Sequence, residues 1–262
     1  MSDPAWPLIA NFRDVGGHPG TDGRAVKRGL IFRGSSLADA TDDDLARLGS
    51  LGVGLVFDLR CRQEADGSPD RLPSGARYRR ESGVMSADEG AGDDFEWLDW
   101  ARLMDQLEAS DEALLAMETF QGGTYTEMIR RPASFSALAN ELLDASGRGV
   151  YIHCAAGKDR TGVACAVVQR LLGVGWDDIL ADYMESANHP RADVSWVREL
   201  ASRHSSRVEA LVNTMLGVTP QQLETSFHEI DNAWGDWEGF VQDGLGLGDE
   251  DVATLWAAYL EP

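Results

Sequence analysis

The stretch YIHCAAGKDRTGVACAVV, residues 151–168, decides the fold prediction for this chain. An apolar run rich in β-branched residues ends at His153 and Cys154, and a second apolar run begins after Thr161 and Gly162. This order predicts a buried strand, a glycine-containing turn and a helix. In that arrangement the backbone N–H groups at the helix start point toward a common centre, where they can bind an anion. The stretch therefore predicts an anion-binding loop.

The side chains of the turn add a cation and a nucleophile to this predicted anion site. Arg160 offers a planar guanidinium that can hold two oxygens of one phosphate. Cys154 stands at the strand end, where a helix N-terminus and a nearby cation favour the thiolate. A thiolate beneath a bound phosphate indicates covalent phosphoryl transfer. The predicted phosphate-binding residues are Ala155, Ala156, Gly157, Lys158, Asp159 and Arg160.

Other interpretations of this loop fit the residues less well. A nucleotide-binding loop of the G-x-x-x-x-G-K-[ST] type is excluded, because Ile152 and Asp159 stand where it needs glycine and Ser or Thr. A zinc site needs a second Cys or His pair at ligand spacing, and none occurs nearby. An inert core cysteine would not explain the register of glycine, lysine, arginine and threonine behind the strand. The sequence thus predicts neither a metal nor another cofactor.

The remaining pattern predicts an α/β fold with a central, mainly parallel sheet flanked by helices, in one domain of residues 1–262. Apolar runs at 53–59 and 149–153 are typical of buried strands. Start and stop signals predict the helices. Two helices are predicted to begin after Thr41, with Asp44 completing a capping box, and after Pro132. Three more are predicted over residues 161–172, 194–204 and 208–216. The last two are predicted to begin at Thr219-Pro220 and at Asp249, which is expected to cap the final helix.

Charge and cysteine content limit the partners and the compartment. The 23 basic and 44 acidic residues give a net charge of −21, and such a surface repels nucleic acid and anionic membranes. Three cysteines provide no disulfide framework. The N-terminus lacks a signal-peptide pattern, and no apolar run approaches the roughly 20 residues of a membrane span. We therefore expect a cytoplasmic protein by default, with export by a signal-independent route left open, and no integral membrane segment.

The loop HCAAGKDRTG, residues 153–162, resembles the signature of the cysteine-dependent phosphatases, H-C-x5-R-[ST]. Its Gly-Lys-Asp-Arg core is similar to that of bacterial tyrosine phosphatases of the mycobacterial protein tyrosine phosphatase B type. The resemblance implies a tyrosine or dual-specificity phosphatase-like fold and no cofactor. Four further motifs have counterparts in the same order: NFRDVGG (11–17), LIFRGSSL (30–37), VFDLRCRQE (56–64) and ILADYMESAN (179–188).

The resemblance implies roles for the loop residues. Cys154 is the nucleophile and Arg160 the phosphate clamp, while Thr161 hydrogen-bonds the sulfur and assists breakdown of the phosphocysteine. His153 lies behind the loop and helps to hold the thiolate. Lys158 is a second cation over the phosphate or a neighbouring group, which favours highly anionic substrates such as phosphoinositides.

The identity of the general acid stays open at this stage. Protonation of the leaving group needs a carboxylic acid within hydrogen-bond reach of the ester oxygen. Asp159 is either that acid or a partner that braces the loop by an ion pair. Asp88, in the acidic glycine-rich segment 86–94, is the second candidate, followed by Asp93 and Asp94.

Polar residues near other strand ends have two interpretations each. Asn11, Arg13 and Asp14 are expected to stabilise a turn rather than to contact substrate, and we count Arg13 and Asp14 as supporting residues. Arg33 and Arg60 either reinforce a positive cleft or pair with carboxylates.

Cys61 follows a predicted strand and is expected at the same sheet edge as Cys154. It is either an isolated thiol or the redox partner of Cys154 in a disulfide, as in related phosphoinositide phosphatases. Cys165 lies inside the following helix and is interpreted as a core residue.

The helices after Pro190 either pack in the core or cover the site as a lid, which is what the resemblance suggests. Trp196, Leu200, Val208, Leu211 and Met215 provide their apolar faces.

Together these features predict a hydrolase that cleaves phosphotyrosine, with phosphoserine and phosphothreonine as further protein substrates. Phosphoinositides are the close alternative substrate. A non-catalytic phosphoprotein-binding module is disfavoured because Cys154 and Arg160 are both present. A sulfurtransferase is disfavoured because its loop would lack the run from Lys158 to Thr161.

Overall fold

The computed structural model describes residues 7–83, 99–145, 147–187 and 194–262. Its centre is a five-stranded sheet in the order β1-β2-β5-β3-β4. The strands are β1 (Arg13–Asp14), β2 (Ile31–Gly34), β3 (Val53–Asp58), β4 (Arg77–Arg80) and β5 (Gly149–His153). Only β1 runs antiparallel to its neighbour, so the predicted mainly parallel sheet is confirmed.

Helices surround this sheet. The first seven are α1 (Asp42–Ser50), α2 (Arg62–Gly67), α3 (Trp100–Ala109), α4 (Asp111–Arg130), α5 (Ala133–Asp144), α6 (Asp159–Leu171) and α7 (Trp176–Glu185). The later ones are α8 (Ser195–Ala201), α9 (Ser206–Leu216), α10 (Pro220–Trp234), α11 (Trp237–Gly239) with a following π-helical turn (Phe240–Gly244), and α12 (Asp249–Tyr259). No helix of the described ranges has the length and hydropathy of a membrane span.

The helix predictions hold in outline and differ at several ends. The capping box of Thr41 and Asp44 is present at α1. Helix α6 begins at Asp159, two residues before the predicted start, because the loop already turns into the helix after Lys158. At α12 the backbone N–H of Gly248 donates to Asp251 Oδ2 (2.9 Å), so Asp249 is not the capping residue.

Helix α4 was not predicted, because its sequence lacks a clean apolar period. Leu115 and Phe120 are exposed, and Gly122 and Gly123 interrupt its middle. Its stability therefore comes from what it packs against rather than from its own pattern.

The sheet is buried on both faces. Side chains of β5 alternate, so that Val150 and Ile152 join the main core under α5, α6, α10 and α12, while Tyr151 joins a smaller cluster on the α1 side. The carboxyl ends of β3 and β5 lie side by side, with Asp58 opposite His153. The residues that follow these two strands therefore meet at one edge, as in other open α/β sheets.

A second apolar cluster lies apart from the main core. This helical cluster is built by α3, the first half of α4, α8 and α9, and its buried members are Trp100, Met104, Leu107, Leu114, Val197, Ala201, Val208, Leu211, Val212 and Met215. Trp196 was predicted to lie on one of the apolar faces, and this prediction is wrong, since its side chain is 56% exposed. Helices α8 and α9 thus pack on α3 and α4, in a cluster distinct from the sheet core, whereas α10 and α12 pack on the main core.

Candidate active site

The loop that joins β5 to α6, residues 154–158, is fastened from its outer side. Three donors reach three successive loop carbonyls: Ser36 N to Ala155 O (3.0 Å), Asn11 Nδ2 to Ala156 O (2.9 Å) and Arg33 Nη2 to Gly157 O (3.1 Å). These three contacts fix the loop carbonyls to residues of other segments. Among the described residues, no acceptor is found for the backbone N–H groups of residues 155–158.

Gly157 is required at the tightest point of this loop. Its φ of +68° lies in the left-handed region, and a Cβ would stand 2.2 Å from the carbonyl carbon of Gly34. No other residue fits this close approach. The sequence reasoning assigned the conformational freedom of Gly157 correctly, and the structure adds the contact with β2.

Arg160 is held by a carboxylate that we did not identify from the sequence. Its Nη1 and Nη2 donate to Glu64 Oε2 (2.6 Å) and Oε1 (2.8 Å), a bidentate pair. Burial opposes ionisation of Glu64, but the hydrogen bonds from Arg160 outweigh it and lower the pKa of Glu64. The guanidinium is therefore fixed in one orientation beside the loop.

The three thiols differ in their surroundings. Cys154 is buried at the base of the loop, and Cys61 is buried just past β3, so both follow adjacent parallel strands as predicted. All three cysteines are free thiols. Burial raises the pKa of Cys61, and it raises the pKa of Cys165 to about 11. Cys165 belongs to the main core, as expected.

Thr161 does not make its predicted hydrogen bond to sulfur. Its Oγ1 is buried and has no hydrogen-bond partner in the described part of the chain. A buried hydroxyl without a partner costs free energy, so this group is available to a thiolate or a bound anion.

His153 sits behind the loop in a buried ion-pair network. Its Nδ1 contacts Cys154 O (3.0 Å), and its Nε2 lies 3.2 Å from Asp70 Oδ2. Burial alone would lower the pKa of His153, but Asp58 and Asp70 outweigh it and raise that pKa. Arg60 bridges the same two carboxylates, with Nη2 at 2.8 Å from Asp58 and 2.6 Å from Asp70.

This network also resembles a metal-ligand cluster, since ligand atoms of Asp58, Asp70 and His153 lie within 4.8 Å of one another. Arg60 already supplies the positive charge there, and Tyr78 Oη donates to Asp58 Oδ2 (2.7 Å). We therefore interpret it as an ion-pair network that supports the loop. Arg60 pairs with buried carboxylates, not with surface ones.

Arg13 and Arg33 converge on Asp182 of α7. Arg13 Nε donates to Asp182 Oδ1 (2.8 Å), and Arg33 Nη1 donates to Asp182 Oδ2 (2.8 Å). Burial opposes ionisation of Asp182, but the two arginines outweigh it and lower its pKa. Asp14 accepts from the N–H groups of Gly16 (2.8 Å) and Gly29 (2.7 Å), so it stabilises a turn. Arg13, Arg33 and Asp14 are thus structural supports.

Lys158 contacts the helical cluster, whereas Asp159 contacts a tyrosine of the main core. Lys158 Nζ donates to Met215 O (2.8 Å) at the end of α9 and lies 3.4 Å from Asp159 Oδ2. Tyr125 Oη of α4 donates to Asp159 Oδ1, and the Asp159 side chain is 25% exposed. In this conformation Lys158 ties the loop to α9. Asp88, the other acid candidate, lies outside the described residues, as do Asp93 and Asp94.

We expect Lys158→Ala to speed amide hydrogen exchange in α9 about fivefold, because a net hydrogen bond of about 1 kcal/mol is lost. Exchange measured by mass spectrometry over residues 206–216 tests this. Lys27→Ala is the matched control, since Lys27 Nζ donates to Ala258 O (2.7 Å) in α12. It should leave α9 unchanged. Unaltered α9 exchange in Lys158→Ala would show that the helical cluster holds α9 without the loop.

The sequence reasoning missed four residues that the fold brings to the loop. Glu64 and Asp182 lie within motifs already noted, at 56–64 and 179–188, yet nothing local shows which cation each carboxylate meets. Tyr183 lies in the second of these motifs as well, but neither it nor Tyr125 drew attention, since buried tyrosines are common in cores.

Comparison with known proteins identifies the family of the chain. The model of the tyrosine phosphatase family matches residues 4–261. The chain belongs to the tyrosine phosphatase family. The phosphatase is 32% identical over 259 residues to a Cupriavidus necator protein named as a tyrosine-protein phosphatase, covering 98% of this chain and 88% of that one.

One further relative and one solved structure complete the comparison. It is 31% identical over 259 residues to the triple specificity protein phosphatase PtpB of Mycobacterium tuberculosis, covering 91% of each chain. Among solved structures, the crystal structure of P. aeruginosa TpbA aligns with 82% of this chain and 99% of that chain, at 15% identity and a TM-score of 0.32.

Proposed function

We propose that the protein hydrolyses phosphotyrosine in proteins through a covalent phosphocysteine on Cys154, and that residues 1–262 form one phosphatase domain. The observation that carries the proposal is the loop itself. Ser36, Asn11 and Arg33 bind its carbonyls, while the N–H groups of residues 155–158, which follow the buried thiol of Cys154, have no acceptor among the described residues. Such a cradle suits a tetrahedral dianion, and a thiol beneath it suits attack on phosphorus.

In the first step the Cys154 thiolate attacks phosphorus, and an S–P bond forms as the P–O bond to the leaving group breaks. The electron pair of that bond stays on the leaving oxygen, which takes a proton from the Asp159 carboxyl. The loop N–H groups, proposed to include those of Ala155 and Ala156, and the Arg160 guanidinium bind the oxygens of the transferring group. Glu64 holds Arg160 in its bidentate orientation.

In the second step water attacks the phosphocysteine. The Asp159 carboxylate takes a proton from that water, the S–P bond breaks, and its electron pair returns to Cys154. The partnerless hydroxyl of Thr161 is proposed to stabilise the departing thiolate. His153, raised in pKa by Asp58 and Asp70, adds positive charge behind the loop. No metal or cofactor is needed for either step.

The substrate class is inferred from relatives and from charge. The M. tuberculosis relative is named a triple specificity protein phosphatase, which agrees with activity on phosphoserine and phosphothreonine as well as phosphotyrosine. Phosphoinositides are the second candidate, because Lys158 is a cation that substrate phosphates can draw away from Met215. A non-catalytic role is not favoured, since Cys154 and Arg160 are both present.

A substrate panel tests the proposal. Initial rates are measured for phosphotyrosyl, phosphoseryl and phosphothreonyl peptides and for phosphoinositides, and rapid acid quench with mass spectrometry looks for phosphate on Cys154. Phosphotyrosyl peptides should react fastest and give a labelled Cys154. Hydrolysis with no phosphocysteine under any quench condition would exclude the covalent mechanism, and faster hydrolysis of phosphoinositides would reverse the substrate assignment.

Cys61 is expected to protect Cys154 from irreversible oxidation by forming a disulfide with its sulfenic acid. The raised pKa of Cys61 makes this reaction slow at neutral pH and faster as pH rises. After mild peroxide followed by reductant, the wild type should recover more activity than Cys61→Ser. Equal recovery, with no linked peptide joining the two cysteines, would mean that Cys61 is an isolated thiol.

A further inference from the structure

A buried tyrosine hydroxyl lies against the carboxyl that we assign as the general acid. Tyr125 of α4 is 4% exposed, and its Oη donates to Asp159 Oδ1. We propose that Tyr125 is a positioning residue that holds Oδ1, so that Oδ2 carries the transferred proton. This inference rests on the proposed role of Asp159.

The tyrosine is itself oriented by a second tyrosine. Tyr183 Oη of α7 lies 3.1 Å from Tyr125 Oη, and since Tyr125 donates to Asp159, Tyr183 must donate to Tyr125. Gly162 makes room for this arrangement, because a Cβ there would stand 2.7 Å from the Tyr183 ring. The two buried hydroxyls thus form a series of hydrogen bonds that ends on the Asp159 carboxyl. Phenylalanine would fill the same space without a hydroxyl, and a buried hydroxyl is costly unless it is hydrogen-bonded. The two hydroxyls therefore indicate a specific interaction with this carboxyl.

The direction of the hydrogen bond fixes which oxygen reacts. Burial and the neighbouring Asp159 raise the pKa of Tyr125 well above its ordinary value, so Tyr125 remains a donor. An oxygen that accepts from Tyr125 is a poor place for the acidic proton, which therefore resides on Oδ2. Oδ2 also lies 3.4 Å from Lys158 Nζ, and the Asp159 side chain is 25% exposed.

The same hydrogen bond favours the transition state over the ground state. As Asp159 gives up its proton it becomes a carboxylate, and a donor binds a carboxylate more strongly than a neutral acid. The interaction therefore grows during proton transfer, which is the condition for catalysis. The charged and titratable groups facing Asp159 are Tyr125 of α4, Tyr183 of α7 and Lys158 of the loop, with Arg33 of β2 behind Tyr183.

Tyr125→Phe should have a leaving-group signature. We expect turnover of phenyl phosphate to fall about 10- to 100-fold, while turnover of 2,4-dinitrophenyl phosphate changes little, since its leaving group needs no proton. Tyr183→Phe should lower turnover of phenyl phosphate with the same leaving-group dependence, but by less.

Tyr259→Phe is the matched control. Tyr259 is another buried tyrosine of the main core, whose Oη donates to Leu142 O (2.9 Å) away from the loop. It should lower the melting temperature without changing turnover of either substrate. Equal losses on both substrates in Tyr125→Phe would reduce Tyr125 to a packing role.

Asp159→Asn, run in parallel, separates the two ideas. If it shows leaving-group dependence and Tyr125→Phe does not, only the inference about Tyr125 is wrong. If Asp159→Asn shows no such dependence, Asp159 is not the acid, and both ideas are wrong.

Discussion

Cys154→Ser is expected to lower turnover of every phosphomonoester by about 10⁴-fold or more, because the nucleophile of a covalent mechanism cannot be bypassed. A serine hydroxyl is far less ionised than a thiol, so the corresponding O–P intermediate on serine would form too slowly to support turnover. Binding should survive, since the loop N–H groups and the Arg160 guanidinium held by Glu64 remain in place. Steady-state kinetics and calorimetric titration with phosphate measure the two properties separately.

Cys165→Ala is the matched control for this experiment. Cys165 is buried in α6, and burial raises its pKa to about 11, so it stays a protonated core residue. The control should keep turnover close to wild type, with a modest loss of stability from the smaller side chain. If Cys154→Ser turns over substrate at a rate within tenfold of wild type, the covalent mechanism is excluded.

Asp159→Asn should reduce turnover of phenyl phosphate by about 10²–10⁴-fold, because an amide cannot protonate the leaving oxygen. The loss should shrink toward nothing with 2,4-dinitrophenyl phosphate, whose phenolate leaves without a proton. A plot of log turnover against leaving-group pKa therefore steepens in the variant. The contacts of Asp159 with Tyr125 and Lys158 would also weaken, so circular dichroism and melting temperature are recorded alongside.

Two further variants test whether Asp159 is the general acid. Asp178→Asn removes a half-exposed carboxylate of α7 and should leave the leaving-group plot unchanged. Asp88→Asn tests the rival acid of the 86–94 segment. A steepened plot in Asp88→Asn and a normal one in Asp159→Asn would transfer the acid role, and Asp159 would then be the brace of the loop.

Part of this site is local, and the sequence predicted that part. Cys154, Gly157 and Arg160 lie within seven consecutive residues, so a strand end, a left-handed turn and a helix start fix their relation. The sheet edge shared by β3 and β5 was also predictable, because parallel strands end on the same side.

The partners of these residues were not predictable, because they come from distant parts of the chain. Glu64 is 96 residues from Arg160, Tyr125 is 34 from Asp159, and Met215 is 57 from Lys158. For this reason the ammonium of Lys158, which we expected over the phosphate, was not predicted to contact Met215 at the end of α9.

The sequence by itself determined the strand, loop and helix of residues 151–168 and the position of the Cys154 thiol at the strand end. Backbone geometry and residue type act there over one or two turns. Only the tertiary structure decided which carboxylate orients Arg160, which hydroxyl holds Asp159 and where the ammonium of Lys158 goes. Those contacts depend on how α2, α4 and α9 pack around the loop. The chain contains 23 basic and 44 acidic residues, so the number of possible ion pairs is too large for the sequence alone to indicate which ones form.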